Sequence, residues 1–168
     1  SYQKVNIFAA FSALENCRLA AQSRDPRPWN WLREASSYDE IMTRARSALA
    51  QVGLSNRADS IAFTLSHGEQ RQLEIAMSLA IQPKLLLLDE PLAGLGIEES
   101  SSMVQLIRRM AQTHAILLVE HDMDAVFQLA RVLTVMVDGR VLASGKPDEV
   151  RADEQVQRAY LGKFDEHS

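Results

Sequence analysis

The sequence contains a single cysteine, Cys17, among 168 residues. One thiol excludes an internal disulfide and fits a reducing compartment, so Cys17 is interpreted as a small core side chain. The histidines at positions 67, 114, 121 and 167 lack the spacing, to Cys17 or to each other, that zinc and iron sites require. We therefore predict neither a disulfide framework nor a transition-metal site.

Long apolar runs and excess basic charge are also missing. The runs LLLL at 85–88 and AILLV at 115–119 are far shorter than the roughly 20 residues that cross a bilayer, so no spanning segment is predicted. With 18 Lys and Arg against 22 Asp and Glu, the chain is not expected to bind nucleic acid. It opens on Ser1 and shows no signal-peptide pattern, which indicates a truncated chain rather than a targeted one.

What the sequence does contain is enough apolar material, 46% of its residues, for a sizeable core. Up to about residue 64 the apolar spacing predicts two helices, from Ser12 to about Ala21 and over 38–54, the second ending near Gly53. Between them, two prolines and the tryptophans Trp29 and Trp31 indicate a loop. This part of the chain is predicted to be mostly helical.

After Leu65, helices and strands alternate, which is typical of an α/β fold with parallel strands. The pattern predicts a helix over 68–81, the strand KLLLLDE, a return helix over 97–112 and the strand AILLVEHD, with both strands buried on both faces. A helix over 123–130 and a hairpin around Asp138-Gly139 follow. The tail from Lys146 predicts one or two short helices, with Pro147 in a first turn.

The stretch LSHGEQ at 65–70 holds the first candidate functional residues. Ser66 and Glu69 form a capping-box pattern, which on its own predicts only the start of a helix. Gly68, however, removes a side chain from the first turn, so the positive end of the helix is expected to stay open to an anion such as a phosphate.

A second group of candidates follows the two predicted strands. Asp89 and Glu90 end the first strand, and His121 follows the second, so a parallel sheet would bring all three to one edge. There Asp89 would anchor Mg²⁺ and Glu90 would polarise a water that attacks a γ-phosphate. The alternatives are an Asp-Glu pair that caps a loop and a histidine that serves as a structural hydrogen bonder.

Taken together, these motifs resemble the ATP-binding subunits of ABC transporters. LSHGEQRQLEIAMSLA is similar to the signature motif of that family, LLLLDEP to its Walker B motif, AGLG to its D-loop and LLVEHDM to its histidine switch. Tyr2-Gln3 resembles the end of its Q-loop. The LSHGEQ variant, EHDM and the tail QRAYLG look most like the ATPases of branched-chain amino acid importers.

This resemblance implies ATP and Mg²⁺ as ligands and assigns roles to particular residues. Glu90 and His121 would be catalytic, and Asp89 and Gln3 would hold Mg²⁺ and contact the nucleotide. Nucleotide contacts across a dimer would come from the signature residues Ser66, His67, Gly68 and Glu69. The implied partners are a second ATP-binding subunit in a homo- or heterodimer, transmembrane permease subunits and, indirectly, a substrate-binding protein outside the membrane.

The chain departs from the family pattern in two places. Gly96 stands where the D-loop usually has Asp, Asn or Ser, and the pattern G-x-x-x-x-G-K-[ST] of the P-loop does not occur. We therefore expect a C-terminal part of a P-loop NTPase core with a helical signature subdomain, the P-loop preceding Ser1. The predicted domains are 1–82, with the Q-loop end and the helical subdomain, and 83–168, with the rest of the core.

The resulting hypothesis is a subunit on the cytoplasmic face of the membrane that hydrolyses ATP to drive the import of branched-chain or related amino acids. On its own, the chain without a P-loop is expected to be inactive. Two alternatives stay open: a short non-hydrolytic module that regulates an ABC system, and the ATPase of an exporter such as a lipopolysaccharide exporter.

Overall fold

The structure of this protein, a computed structural model, describes residues 7–23 and 35–161. The chain divides into two compact units, Ser1–Val119 and Glu120–Ser168, which are described separately. The domain boundary predicted between residues 82 and 83 stays a prediction. Within the described ranges no helix is both long and apolar enough to cross a membrane.

Three helices form the core of the first unit: α1 (Ala13–Ser23), α2 (Ala35–Gln51) and α3 (His67–Ala80). They confirm the helices predicted from apolar spacing, and each packs against the other two. Short 3₁₀ turns at Ser55–Arg57 and Ala62–Thr64 lead from α2 to α3. The side chains that close this core are at most 1% exposed and include Cys17, Ala45, Leu49, Val52, Leu73 and Ala76.

One buried polar residue, Asn16, fixes the segment before α1. Its Oδ1 accepts from Phe8 N–H at 2.8 Å, and its Nδ2 donates to the carbonyl oxygens of Phe8 at 3.1 Å and Ser12 at 2.9 Å. Farther along, Ala62 N–H donates to the Phe11 carbonyl at 2.9 Å. The segment that precedes α1 is therefore held to the segment that leads into α3.

The predicted βαβ arrangement is confirmed in the second half of this unit. Strands β1 (Leu85–Asp89) and β2 (Ala115–Val119) pair in parallel, with Leu87 opposite Leu117, and α4 (Ile97–Met110) joins them. The helix buries the apolar side chains that the pattern placed on one side, Met103, Leu106, Ile107 and Met110.

The prediction that both strands are buried on both faces was wrong. Leu86 and Leu88 are buried, but Leu85 and Leu87 are 51% and 66% exposed, and Leu117 on the neighbouring strand is 56% exposed. Side chains alternate between the two faces of a strand, so these exposed residues share one face of the sheet. The described residues of this unit cover only the opposite face.

The second unit contains α5 (Met123–Leu129), the antiparallel strands β3 (Leu133–Val137) and β4 (Arg140–Gly145), α6 (Pro147–Ala152) and α7 (Glu154–Leu161). The hairpin prediction is confirmed, because Asp138 and Gly139 both have positive φ, +49° and +75°. Pro147 opens α6, as predicted for the tail.

Candidate functional site

The capping box predicted at the start of α3 is present. Glu69 N–H donates to Ser66 Oγ at 3.2 Å, and Ser66 N–H donates to Glu69 Oε2 at 2.9 Å. Two backbone donors of the helix start are therefore satisfied by side chains of the motif itself. Glu69 also pairs with Arg57 of the first 3₁₀ turn, with Arg57 Nε 3.1 Å from Glu69 Oε1, a partner that the sequence pattern did not indicate.

The helix end expected to be open already holds an anionic group. The carboxylate of Glu99, in the first turn of α4, accepts from Gly68 N–H at 3.3 Å and from Ser66 Oγ at 3.4 Å. A Cβ added at Gly68 would lie only 2.7 Å from Glu99 Oε1, so the missing side chain is what makes room for the carboxylate. The prediction of a bare end was wrong because it considered only residues near Gly68 in sequence, and Glu99 comes 31 positions later.

The start of α3 and the first turn of α4 together enclose an open cavity of about 260 Å³. It is lined by Ser66, Gly68, Glu69, Gln72, Glu98, Glu99, Ser102 and Met103. The loop that follows β1 also approaches this region, since a Cβ added at Gly94 would lie 3.1 Å from His67 Nε2. Signature residues and the AGLG loop therefore meet within one chain.

Gly96, the departure from the usual D-loop, lies directly before α4. Its φ of −71° and ψ of 170° are open to any residue, and an added Cβ would meet no described atom within 4 Å. The backbone therefore does not require glycine at this position.

Asp89 and Glu90 lie at the carboxyl end of β1, where the sequence predicts them, and both are exposed. Glu90 has a φ of +46°, a left-handed conformation that costs a non-glycine residue about 1–3 kcal/mol. A backbone hydrogen bond of 2.9 Å from Glu90 N–H to the Val119 carbonyl of β2 holds this turn in place. Backbone strain of this kind is common at active sites and ligand-binding sites.

His121 belongs to the second unit, so its predicted convergence with Asp89 and Glu90 stays a prediction. Its backbone N–H donates to Glu120 Oε2 at 3.0 Å, and Asp122 N–H lies 3.4 Å from the same oxygen. The Glu120 side chain is 0% exposed, whereas that of His121 is 73% exposed. A buried carboxylate therefore fixes the backbone of the loop that presents His121, a role that the sequence analysis missed.

The donors available for Mg²⁺ are limited. Gln3 lies outside the described residues. Across residues 7–23 and 35–161, no three His, Cys, Asp or Glu side chains are grouped to hold a metal ion. Asp89 nevertheless offers an exposed carboxylate, the hard oxygen ligand that Mg²⁺ prefers, and this ion typically keeps several water and phosphate ligands. The donor set therefore fits an ion held by one or two carboxylate contacts rather than a protein cage.

Comparisons with known proteins agree with these motifs. The family described as "ABC transporter" matches residues 1–93, and the family described as "Branched-chain amino acid ATP-binding cassette transporter" matches residues 140–166. The chain is 36% identical to the high-affinity branched-chain amino acid transport ATP-binding protein LivG of Escherichia coli (strain K12), over 97% of this chain and 67% of LivG. Identity to BraF of Pseudomonas aeruginosa is also 36%, with the same coverage.

Solved structures give the same result. The ADP conformation of MJ1267, an ATP-binding cassette of an ABC transporter, matches with a TM-score of 0.75 and 25% identity, over 92% of this chain and 64% of MJ1267. The protein cbiO1 from Clostridium perfringens, part of the ABC transporter complex cbiONQ, matches with a TM-score of 0.72 and 30% identity, over 89% of this chain and 57% of cbiO1. The chain thus spans 57% to 67% of the length of these relatives. By motif order, sequence identity and fold, it belongs to the ATP-binding cassette family of ABC transporters.

Proposed function

We propose that the chain is the C-terminal part of an ATP-hydrolysing subunit of an ABC importer for branched-chain or related amino acids. The observation that carries the proposal is the placement of Asp89 and Glu90 at the carboxyl end of a parallel strand, in the same unit as the capped start of α3. The substrate class is supported by the relatives LivG and BraF, both named for branched-chain amino acid transport.

In the proposed mechanism, Glu90 accepts a proton from the water that attacks the γ-phosphate, and its strained backbone keeps the carboxylate at the exposed sheet edge. Asp89 would hold Mg²⁺, which when bound neutralises charge on the phosphate oxygens. His121 would donate a hydrogen bond to the γ-phosphate, with its loop held by Glu120. Gln3 would complete the Mg²⁺ contacts.

The start of α3 would serve the nucleotide of a second ATP-binding subunit. Gly68 N–H and Ser66 Oγ are donors suited to a phosphate oxygen, and the helix dipole favours an anion there. His67 and Glu69 would flank the same nucleotide. In this arrangement neither subunit has a complete site, so hydrolysis would require the dimer.

An exposed aromatic surface supports a permease partner. Phe8 and Phe11 stack with ring centroids 5.7 Å apart and are 51% and 44% exposed, and Phe63 is 67% exposed. Phe63 N–H donates to the Ala9 carbonyl at 3.1 Å, which holds the two segments side by side. We propose that this surface docks on a transmembrane subunit at the cytoplasmic face, with a substrate-binding protein acting through the permease from the other side. Trp29 and Trp31, in the loop predicted between the first two helices, lie outside the described residues.

The test of the proposal is Glu90→Gln in the intact protein. Loss of the general base is expected to lower ATP turnover by about 100-fold or more, while ATP binding is retained because the amide keeps the shape of the side chain. The measurement is steady-state phosphate release together with equilibrium binding of a fluorescent ATP analogue.

Glu40→Gln is the matched control, because Glu40 is an exposed glutamate on α2 that does not line the cavity at the start of α3. It is expected to hydrolyse ATP at the wild-type rate. Undiminished turnover in Glu90→Gln would remove Glu90 from the base role, and a wild-type protein that neither binds nor hydrolyses ATP would overturn the proposal as a whole.

A further inference from the structure

The Glu99 carboxylate uses its two oxygens on different partners. Oε1 lies 3.3 Å from Gly68 N and 3.4 Å from Ser66 Oγ, both at the start of α3. Oε2 lies 3.4 Å from Gly96 N, the residue directly before α4. Glu99 therefore joins the signature motif to the loop that follows β1, although no part of the LSHGEQ or AGLG patterns includes it.

The donors that hold Glu99 are the ones that the proposed function assigns to a phosphate. A backbone N–H directs one strong hydrogen bond, so Gly68 N–H cannot serve the carboxylate and a phosphate oxygen equally. Two anions within hydrogen-bonding distance of one donor also repel each other. Glu98 and Glu99 also line the cavity in front of these donors. A second anion is therefore expected to enter only once the Glu99 carboxylate has moved away or lost its charge.

We propose that Glu99 is a built-in competitor for the phosphate at the start of α3. Without nucleotide, its carboxylate satisfies the donors of the signature helix; a phosphate from the partner's ATP must displace it. The inference rests on the proposed function and concerns the regulation of that same site. Glu99 is thus a residue that sets the ATP concentration needed to close the dimer, not a catalytic residue.

Displacement leaves Glu99 with a partner. Its contact with Gly96 N–H belongs to the first turn of α4, where an acidic side chain is favoured by the helix dipole. The carboxylate can therefore leave α3 and remain bound at α4. Because Gly96 lies in the AGLG loop, the release of the Glu99 carboxylate from α3 would also couple the signature motif to the segment that follows Asp89 and Glu90.

The experiment measures ATP-driven self-association of the intact protein carrying Glu90→Gln, so that hydrolysis does not consume the nucleotide. Three proteins are compared by light scattering over a range of ATP concentrations: the Glu90→Gln parent and the same protein with Glu99→Gln or with Glu40→Gln. Glutamine preserves the cap on α4, because Gln serves as well as Glu in that position. It removes the charge that competes with phosphate, and charge-assisted hydrogen bonds are about twice as strong as neutral ones.

Glu99→Gln is expected to lower the midpoint ATP concentration by about threefold to tenfold, equivalent to about 0.7–1.4 kcal/mol. Glu40→Gln, with the same change of charge on α2 outside the cavity, is expected to leave the midpoint unchanged. An unchanged or higher midpoint in Glu99→Gln, or equal shifts in both variants, would overturn the inference while leaving the proposed function in place. A parent protein that does not associate with ATP at all would instead count against the proposed function.

Discussion

The helical region and the two-stranded sheet of the first unit differ in how completely they bury their apolar side chains. Among α1, α2 and α3, residues such as Cys17, Leu49 and Leu73 are at most 1% exposed. In the sheet, Leu87 and Leu117 pair across the strands and are 66% and 56% exposed. The same chain therefore contains a closed core and a half-covered one.

The difference shows what an apolar pattern does and does not specify. Helical spacing identifies one face of a helix, and in α1 to α3 that face is the one that packs. A continuous apolar run such as LLLL indicates only that both faces of a strand can be buried. Whether a second face is covered depends on which other elements lie against it, and that information is not in the strand.

The largest difference in stability between the helical core and the sheet is expected when one leucine of each is replaced by alanine. Leu73→Ala in α3 removes a side chain that is 0% exposed and should lower the free energy of unfolding by about 2–5 kcal/mol. Leu87→Ala in β1 removes one that is 66% exposed and should change it by about 0.5 kcal/mol or less. Urea unfolding of the 168-residue chain, followed by circular dichroism, gives both values.

Equal losses in the two variants would break the comparison. They would mean that the exposed face of the sheet is covered in solution, for example by self-association. Sedimentation of Leu87→Ala beside the wild-type chain would then separate that explanation from an error in the packing of β1.

Much of the fold and part of the site were predictable from the sequence. Local signals were sufficient for the Ser66–Glu69 capping box and the Asp138-Gly139 turn, and the alternation of helices and strands indicated the parallel strand that ends at Asp89 and Glu90. The capping box and the turn depend on residues a few positions apart, whereas the pairing of β1 with β2 sets Leu85 opposite Ala115.

The parts that could not be predicted depend on distant residues. Glu99 lies 31 positions from Gly68, and its sequence signal, an acid in the first turn of a helix, indicates a cap on α4 and nothing about α3. The ion pair of Arg57 with Glu69 likewise joins two elements. Leu85 and Leu87 are exposed because the described residues leave that face of the sheet uncovered, and no pattern within β1 indicates this.

A smaller effect is expected from the one thiol in the closed core. Burial raises the pKa of Cys17 from its ordinary 9.0 to about 12. Below pH 9 the thiol is protonated in both states and has no effect; as the pH rises from about 9 towards 12, the unfolded chain loses the proton and the folded chain keeps it. The contribution to stability is therefore lost across that window, by about 1.4 kcal/mol at pH 10 relative to pH 8.

The check is urea unfolding of the wild-type chain and Cys17→Ala at both pH values. The two proteins share every other side chain, so only the difference in pH dependence is assigned to the thiol. The wild-type chain should lose about 1.4 kcal/mol more than the variant between pH 8 and pH 10. The same pH dependence in both would indicate that water reaches Cys17 and that the helical core is less closed than its packing indicates.

The smallest expected effects compare a glycine from each region. Gly53, after α2, has a φ of +85°, and an added Cβ would meet no described atom within 4 Å, so Gly53→Ser should lower stability by about 1 kcal/mol through backbone strain alone. Gly96, before α4, has a φ of −71°, and its serine hydroxyl could cap the helix, so Gly96→Ser should raise stability by about 0.3 kcal/mol. Thermal unfolding of the two variants tests the pair. A loss in Gly96→Ser would show that the AGLG loop needs glycine for a reason other than its backbone angles, because a serine cap and the contact of Glu99 with the N–H of residue 96 use different donors.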